Sequence, residues 1–299
     1  MQNINISIFN SLYPPVMDSE RKSYYKDRFK LHDYHIDFYN IITSQLDFKG
    51  KKVLEIGGSN TPVELALNDI GARKWVCVDK PWQSRLNEQS MHYKNIPFYK
   101  FSENQFDEAV GKRDYIIFNE YADNIPESFF DKFDICISNS CFEHIMDLPK
   151  VIDLIHKSLM KNGVLYSRFG PIWSSATGNH LGISDSELSF SLTHNNNYPE
   201  ELNHAHLLWG YSKIFTHLEE NYGGKVANRY SFRVKNGDSV NKLFYEDYVF
   251  LMQNSLFSKK AVFPAYLHKI NDETMELLQN RYPEYFRFDV RGVVMQALK

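Results

Sequence analysis

Val53-Leu54-Glu55-Ile56-Gly57-Gly58-Ser59-Asn60-Thr61-Pro62 decides the fold of this 299-residue chain. A short apolar strand meets an acid, turns through two glycines and opens a helix. An α/β fold builds a nucleotide-sized cleft in this way, at the carboxyl end of its first strand. Thr61 and Glu64 have the spacing of a capping box, Pro62 takes the first helical position, and Gly71 is placed to end the helix.

The flanking pattern extends the same architecture. Lys52–Ile56, Trp75–Val78, Tyr115–Phe118, Phe133–Ser138 and Val164–Phe169 read as strands, with helical patterns over 62–70 and 151–159. Such alternation argues for a parallel sheet covered on both faces. Residues 19–46 precede it as one or two helices, with Tyr24, Tyr25, Phe29, His32, Ile36 and Tyr39 at helical spacing. Beyond Gly170 the segment 171–210 is rich in Ser, Asn, His and Trp and is too long for an ordinary connection. Helices are expected over 211–220, 240–254 and 272–282, with last strands in 260–270 and 286–298. The expected division is an N-terminal helical lid, 1–49, and one domain, 50–299, carrying a cap insertion at about 171–240.

The formal net charge of -3 implies no broad basic face, so neither nucleic acid nor another polyanion is an expected partner. Three cysteines, Cys77, Cys136 and Cys141, cannot pair completely, which fits a reducing compartment. Met1–Pro15 lacks the basic and apolar blocks of a signal peptide, and no apolar run approaches the ~18 residues of a spanning helix. A cytoplasmic protein without a membrane partner, monomeric or homodimeric, is expected.

The glycine turn admits two cofactors. A dinucleotide site wants G-x-G-x-x-G, so that backbone can approach a pyrophosphate. Here the third glycine is missing, and Glu55 would repel a pyrophosphate while attracting an ammonium group. Asp79 stands 24 residues after Glu55 at the tip of the second strand, where a carboxylate accepts ribose hydroxyls. A cationic amino acid joined to a ribose describes S-adenosylmethionine (SAM) better than NAD.

On these residues the chain resembles the class I SAM-dependent methyltransferases, especially a bacterial type-11-like methyltransferase domain, over roughly residues 50–182. Glu55-Ile56-Gly57-Gly58-Ser59 is similar to the family's E/D-x-G-x-G loop, with serine for the second glycine. Ser138-Asn139-Ser140-Cys141-Phe142-Glu143-His144 is similar to its segment after strand four, and Lys161-Asn162-Gly163 to its turn before strand five. The resemblance implies a Rossmann-like, doubly wound α/β fold: a mostly parallel seven-stranded sheet with helices on both faces and an inserted cap after strand five. It implies SAM as cofactor and, as its contacts, Glu55, Gly57, Gly58, Ser59, Asp79, Lys80, Ala122, Asn139, Ser140 and Glu143.

Methyl transfer from a sulfonium is an in-line displacement, so the protein mainly aligns the reactants; a hydroxyl acceptor additionally needs a base. His144, on the lip after the fourth strand, and His180, in the insertion, are the candidates. Each reads equally as an ordinary loop or helix-start residue. His204-x-His206 suits a metal only from a strand, and no metal is expected; His194 is a further histidine of the insertion. Trp173, Trp209, Tyr198 and Tyr211 read chiefly as packing of a cap. Asn139-Ser140-Cys141-Phe142 lacks the prolines that accompany amine methylation of DNA bases. The expected activity is therefore O-methylation of a small molecule, by analogy a sugar, nucleotide-sugar or secondary metabolite. The alternatives are an NAD(P)-dependent oxidoreductase and a non-catalytic SAM-binding protein.

Overall fold

The computed structural model describes residues 17–57, 61–80, 98–99, 101, 114–180, 183–184, 189–190, 198–235 and 240–299. Gly58, Ser59 and His194 lie outside them. In chain order the elements are α1 (Ser19–Phe29), α2 (Asp33–Gln45), β1 (Lys52–Ile56), β2 (Lys74–Asp79), β3 (Phe98–Tyr99), β4 (Tyr115–Asn119), β5 (Phe133–Asn139), α3 (Leu148–Ser158) and β6 (Leu159–Phe169). There follow β7 (Ile183–Ser184), β8 (Ser189–Phe190), α4 (Ala205–Leu208), α5 (Tyr211–Tyr222), α6 (Gly224–Lys235), α7 (Tyr245–Asn254), β9 (Lys259–Leu267), α8 (Asp272–Arg281) and β10 (Val290–Leu298).

The main sheet runs β3-β4-β2-β1-β5-β6-β10-β9. All neighbours are parallel except β10, which is antiparallel to both β6 and β9. This is the expected doubly wound, mostly parallel sheet; the eighth strand is the two-residue β3 at the edge. Parallel strands direct their carboxyl ends to one side, and the order reverses between β1 and β5, so the fold opens its cleft there.

Strand alternation sorts the core into two layers. Leu54, Ile56, Val76, Val78, Ile116 and Phe118 face α3 and α7, where Val151, Ile152, Ile155, Tyr248 and Met252 are buried. Val53, Trp75, Cys77, Ile117, Ile137 and Tyr166 face α1 and α2, which bury Tyr25, Phe29, Ile36, Phe38, Tyr39 and Ile42. The first two helices thus cover one sheet face. Residues 200–235 carry a small core of their own, Leu202, Ile214, Leu218, Val226, Ala227 and Tyr230.

One acid is buried in the α2-facing layer. Glu55 is 2% exposed and stands opposite Cys77 in the β1–β2 register. Its Oε1 accepts from Thr61 Oγ1 at 2.7 Å, and its Oε2 from Trp75 Nε1 at 2.6 Å and Cys77 Sγ at 3.1 Å. Burial raises its pKa, and these three donors oppose the rise. The Thr61 hydroxyl also lies 2.7 Å from the Tyr39 hydroxyl of α2, and the Tyr115 hydroxyl donates to the Thr61 carbonyl at 2.6 Å.

This network corrects two expectations. The carboxylate expected to face an ammonium group is enclosed by donors of the protein itself. Thr61 caps nothing, because its hydroxyl serves Glu55, and Glu64 turns outward to Arg28 at 2.7 Å. The helix nevertheless forms over residues 63–69, widening over Leu65–Asp69, closed by the Ile70 N–H on the Leu65 carbonyl and followed by Gly71 at φ +81°. Thr61→Val leaves a buried carboxylate oxygen one donor short, at a cost of roughly 1–3 kcal/mol. A lowered urea midpoint is the expected result; an unchanged one would mean that Trp75 and Cys77 suffice to hold Glu55.

Candidate active site

β1 delivers Gly57 to the cleft. Its φ is +69°, and a Cβ built there would stand 1.9 Å from Cys141 Sγ. Only glycine fits, for torsional and steric reasons together. The Gly57 N–H donates to the Val78 carbonyl at 2.8 Å, tying the turn to β2. Asp79 ends β2 opposite Asn119 of β4, and Lys80 follows it. Ala122 opens the short turn Ala122–Asn124 after β4 and packs against the core.

β5 ends at Asn139. Ser140 takes a left-handed φ of 52°, its N–H donating to the Arg168 carbonyl at 2.8 Å. That turn presses Cys141 against Gly57. Burial, chiefly, pushes the Cys141 thiol up; the carboxylates of Asp79 and Glu143 add to this, and the Lys80 ammonium opposes it. Gly57, Asp79, Lys80, Cys141 and Glu143 therefore converge, although their positions span 57 to 143.

Glu143 is 1% exposed. Its Oε1 accepts the Gly170 N–H at 3.1 Å, while its buried Oε2 has no hydrogen-bond partner among the described residues. Burial pushes its pKa up to about 8, so the carboxyl is mostly protonated at neutral pH. His144 Nε2 lies 3.9 Å from Glu143 Oε1, and its ring meets His180 edge to face, with centroids 4.9 Å apart. His180 Nε2 lies 2.6 Å from the Pro171 carbonyl. A carbonyl only accepts, so Nε2 carries the hydrogen and Nδ1 the lone pair of the neutral ring. The two candidate histidines, from different loops, thus share one corner of the cleft.

Sequence reasoning missed Asn241. Its N–H donates to the Glu143 carbonyl at 2.8 Å, and its amide donates to the carbonyls of Phe142 and Ile145 at 2.8 and 3.1 Å. Tyr248 donates to its Oδ1 at 2.8 Å. The chain returning from the cap thereby clamps the turn that bears Glu143 and His144. No local pattern marks a lone Asn as the clamp of a distant turn.

The other candidates fall apart spatially. His204 Nε2 bonds the Phe288 carbonyl at 3.2 Å and His206 Nε2 the Trp173 carbonyl at 2.7 Å. Burial pulls their pKa values down to about 3 and about 4. Among the described residues no group of three His, Cys, Asp or Glu side chains could hold a metal ion. Trp209 and Tyr198 pack on the core of residues 200–235, Trp173 on the cluster around Leu207 and Phe288, and Tyr211 donates to Ser231.

Residues 41–170 match the family model of a methyltransferase domain. A Methanocaldococcus jannaschii protein named as a protein N5-glutamine methyltransferase is 30% identical over 114 residues, 38% of this chain. The match spans 56% of that relative, just over half its length. Among solved structures, a SAM-dependent methyltransferase of Mesorhizobium loti aligns at 12% identity with a TM-score of 0.44, covering 85% of this chain and 93% of the other. Phosphoethanolamine N-methyltransferase 2 of Haemonchus contortus, in complex with SAM, aligns at 12% identity with a TM-score of 0.41, over 97% and 54%. Residues 41–170 match a methyltransferase domain, and the cofactor expected for such a domain is SAM. The site's polar groups suit that molecule: carboxyls at Asp79 and Glu143 for hydroxyl or ammonium donors, and an orphaned buried oxygen on the latter. Among the described residues no helix is long and apolar enough to cross a membrane.

Gly57→Ala should destabilise the fold by about 2–4 kcal/mol, part from the left-handed φ and part from the clash. Adding Cys141→Ala should return only the steric part, read as a partial recovery of Tm. The raised pKa of Glu143 gives a second test. The unfolded carboxyl loses its proton near 4.5 and the folded one near 8, so its contribution to stability is full below 4.5 and is lost as pH rises toward 8. Glu143→Gln should remove that decline from a Tm-against-pH profile; an identical profile would show Glu143 ionised in the fold.

Proposed function

We propose that this chain transfers a methyl group from SAM to a hydroxyl of a small molecule, with the His144–His180 pair supplying the base. The edge-to-face contact of the two rings carries the reading: 4.9 Å apart at the lip, they sit beside the buried Glu143. Gly57, Asp79, Lys80, Ala122, Asn139, Ser140 and Glu143 would hold the cofactor, together with Gly58 and Ser59 of the glycine loop. Glu55 would act one layer behind them, fixing the loop through Thr61. The cofactor brings an already activated methyl, so the protein's part is alignment and removal of the acceptor's proton. The hydrogen on His180 Nε2 is spoken for by the Pro171 carbonyl, which leaves Nδ1 as the basic nitrogen of that ring. A sugar, nucleotide-sugar or secondary-metabolite hydroxyl remains the acceptor class suggested by analogy.

The name of the Methanocaldococcus relative supplies a second reading, methylation of a glutamine side-chain amide in a protein. The segment Asn139-Ser140-Cys141-Phe142, without prolines, favours the hydroxyl reading.

The test combines binding and turnover. S-adenosylhomocysteine should raise Tm where NAD does not, and Asp79→Ala should abolish most of that shift. Labelled methyl from SAM should reach a panel of small alcohols and sugars in preference to glutamine peptides. On the acceptor that works, His144→Ala or His180→Ala should lower kcat by about 100- to 10,000-fold with cofactor affinity unchanged. Full rates in both variants would remove the histidine base and favour an amide or amine acceptor.

A further inference from the structure

Beyond the corner occupied by His144 and His180, two arginines meet a tyrosine on the α2-facing side of the sheet. Arg168 is the penultimate residue of β6, in register with Asn139 of β5, and its carbonyl takes the Ser140 N–H. Its guanidinium lies 4.6 Å from the centroid of the Tyr266 ring, and Nη2 donates to the Tyr266 hydroxyl. Nη1 is enclosed and has no hydrogen-bond partner among the described residues. A buried charged N–H without an acceptor is costly, and native folds rarely tolerate one without a use.

Arg291 reaches the same end from β10. Its carbonyl accepts the Ile172 N–H at 2.8 Å, and a Cβ built on Gly170 would stand 2.6 Å from that oxygen. It therefore abuts the Gly170 turn whose N–H binds Glu143. The charges bearing on the Tyr266 hydroxyl are Arg168 and Arg291, with Asp37 of α2 as the acid among them. Of the charges acting on that hydroxyl, two are guanidiniums and one is a carboxylate. Tyr266 itself holds a left-handed φ of 55°, its ring 3.1 Å from a Cβ built on Gly292. A non-glycine residue keeps such a torsion only where its surroundings impose it. Here it keeps the ring stacked on the Arg168 guanidinium.

We propose that Arg168, Arg291 and Tyr266 form a subsite for an anionic group, a carboxylate or a phosphate, carried by the methyl acceptor. The guanidinium fork matches the two oxygens of either anion, and the tyrosine fixes the fork before the ligand arrives. Arg168 shares its register with Asn139 and Ser140, and Arg291 shares the Gly170 turn with Glu143. The anion would thus be gripped beside the place where the acceptor hydroxyl meets the histidines. This rests on the methyltransferase reading above and narrows its acceptor class.

The experiment titrates inorganic phosphate and, separately, malonate into the full chain, with and without saturating S-adenosylhomocysteine, at ionic strength held constant with chloride. Tm and phosphorus NMR linewidth are the readouts. The wild type should respond to at least one anion beyond chloride, and which one responds separates phosphate from carboxylate. Arg168→Gln should weaken that response about 10- to 100-fold, Arg168→Lys should restore part of it, and Arg291→Gln serves as an independent variant should Arg168→Gln misfold. Cofactor affinity should be unchanged in each. A wild type blind to both anions, or variants that bind them as the wild type does, would overturn the subsite. So would a loss of S-adenosylhomocysteine affinity in Arg168→Gln, which would give the guanidinium to the cofactor's carboxylate. Failure of the wild type to bind S-adenosylhomocysteine would instead sink the methyltransferase reading, while the anion titration without cofactor still decides the subsite.

Discussion

The fold turns on a carboxylate that has almost no water. Glu55 sits between the sheet and α2 among otherwise apolar side chains, and an ionised acid is tolerable there only when its oxygens find donors. Thr61, Trp75 and Cys77 supply them, and Tyr39 and Tyr115 hold Thr61 in turn. The network joins α2, β1, β2, β4 and the far end of the glycine loop. It fixes where the chain returns to the sheet at Thr61. A polar group that would weaken a plain core here specifies the path of the cofactor loop.

A second contact sets the loop's depth. The α-carbon of Gly57 is bare because Cys141 fills the space a side chain would need. The loop after β5 is thereby packed against Gly57 at the end of β1. Asn241 adds the returning cap chain to the same unit by capturing three carbonyls of the Phe142–Ile145 turn. The candidate donor-site residues, the candidate base His144 and the re-entry point of the cap form one mechanical piece.

Much of the sheet was legible because buried parallel strands are short apolar runs, and those at Lys52, Trp75, Tyr115 and Phe133 begin within a residue of where they were expected. The terminal helices α7 and α8 were legible for the same reason of periodicity. The helix over 62–70 was legible too, and only its capping box misled, since the tertiary structure spends the side chains of Thr61 and Glu64 on Glu55 and Arg28. The α6 helix, Gly224–Lys235, was missed because it opens on glycine and its apolar face packs only on the small core of residues 200–235. Within the site, types at fixed sequence spacing such as Gly57 and Asp79 could be read. Partners that meet through topology, such as Asn241 with Glu143 or Arg168 with Tyr266, leave no local trace.

The burial of Glu143 has a consequence for the neighbouring imidazoles. An ionised Glu143 would stand 3.9 Å from His144 Nε2 as a counter-ion and would favour the imidazolium, which can accept no further proton. With its pKa raised to about 8, the carboxyl is neutral at physiological pH and exerts no such pull. The Gly170 N–H and the Asn241 clamp, which seal Glu143 from water, therefore act on the chemistry through a proton that Glu143 keeps. On the proposed reading, stability and reactivity are coupled at this residue, because the desolvation that weakens the fold as pH rises also withholds a counter-ion from His144.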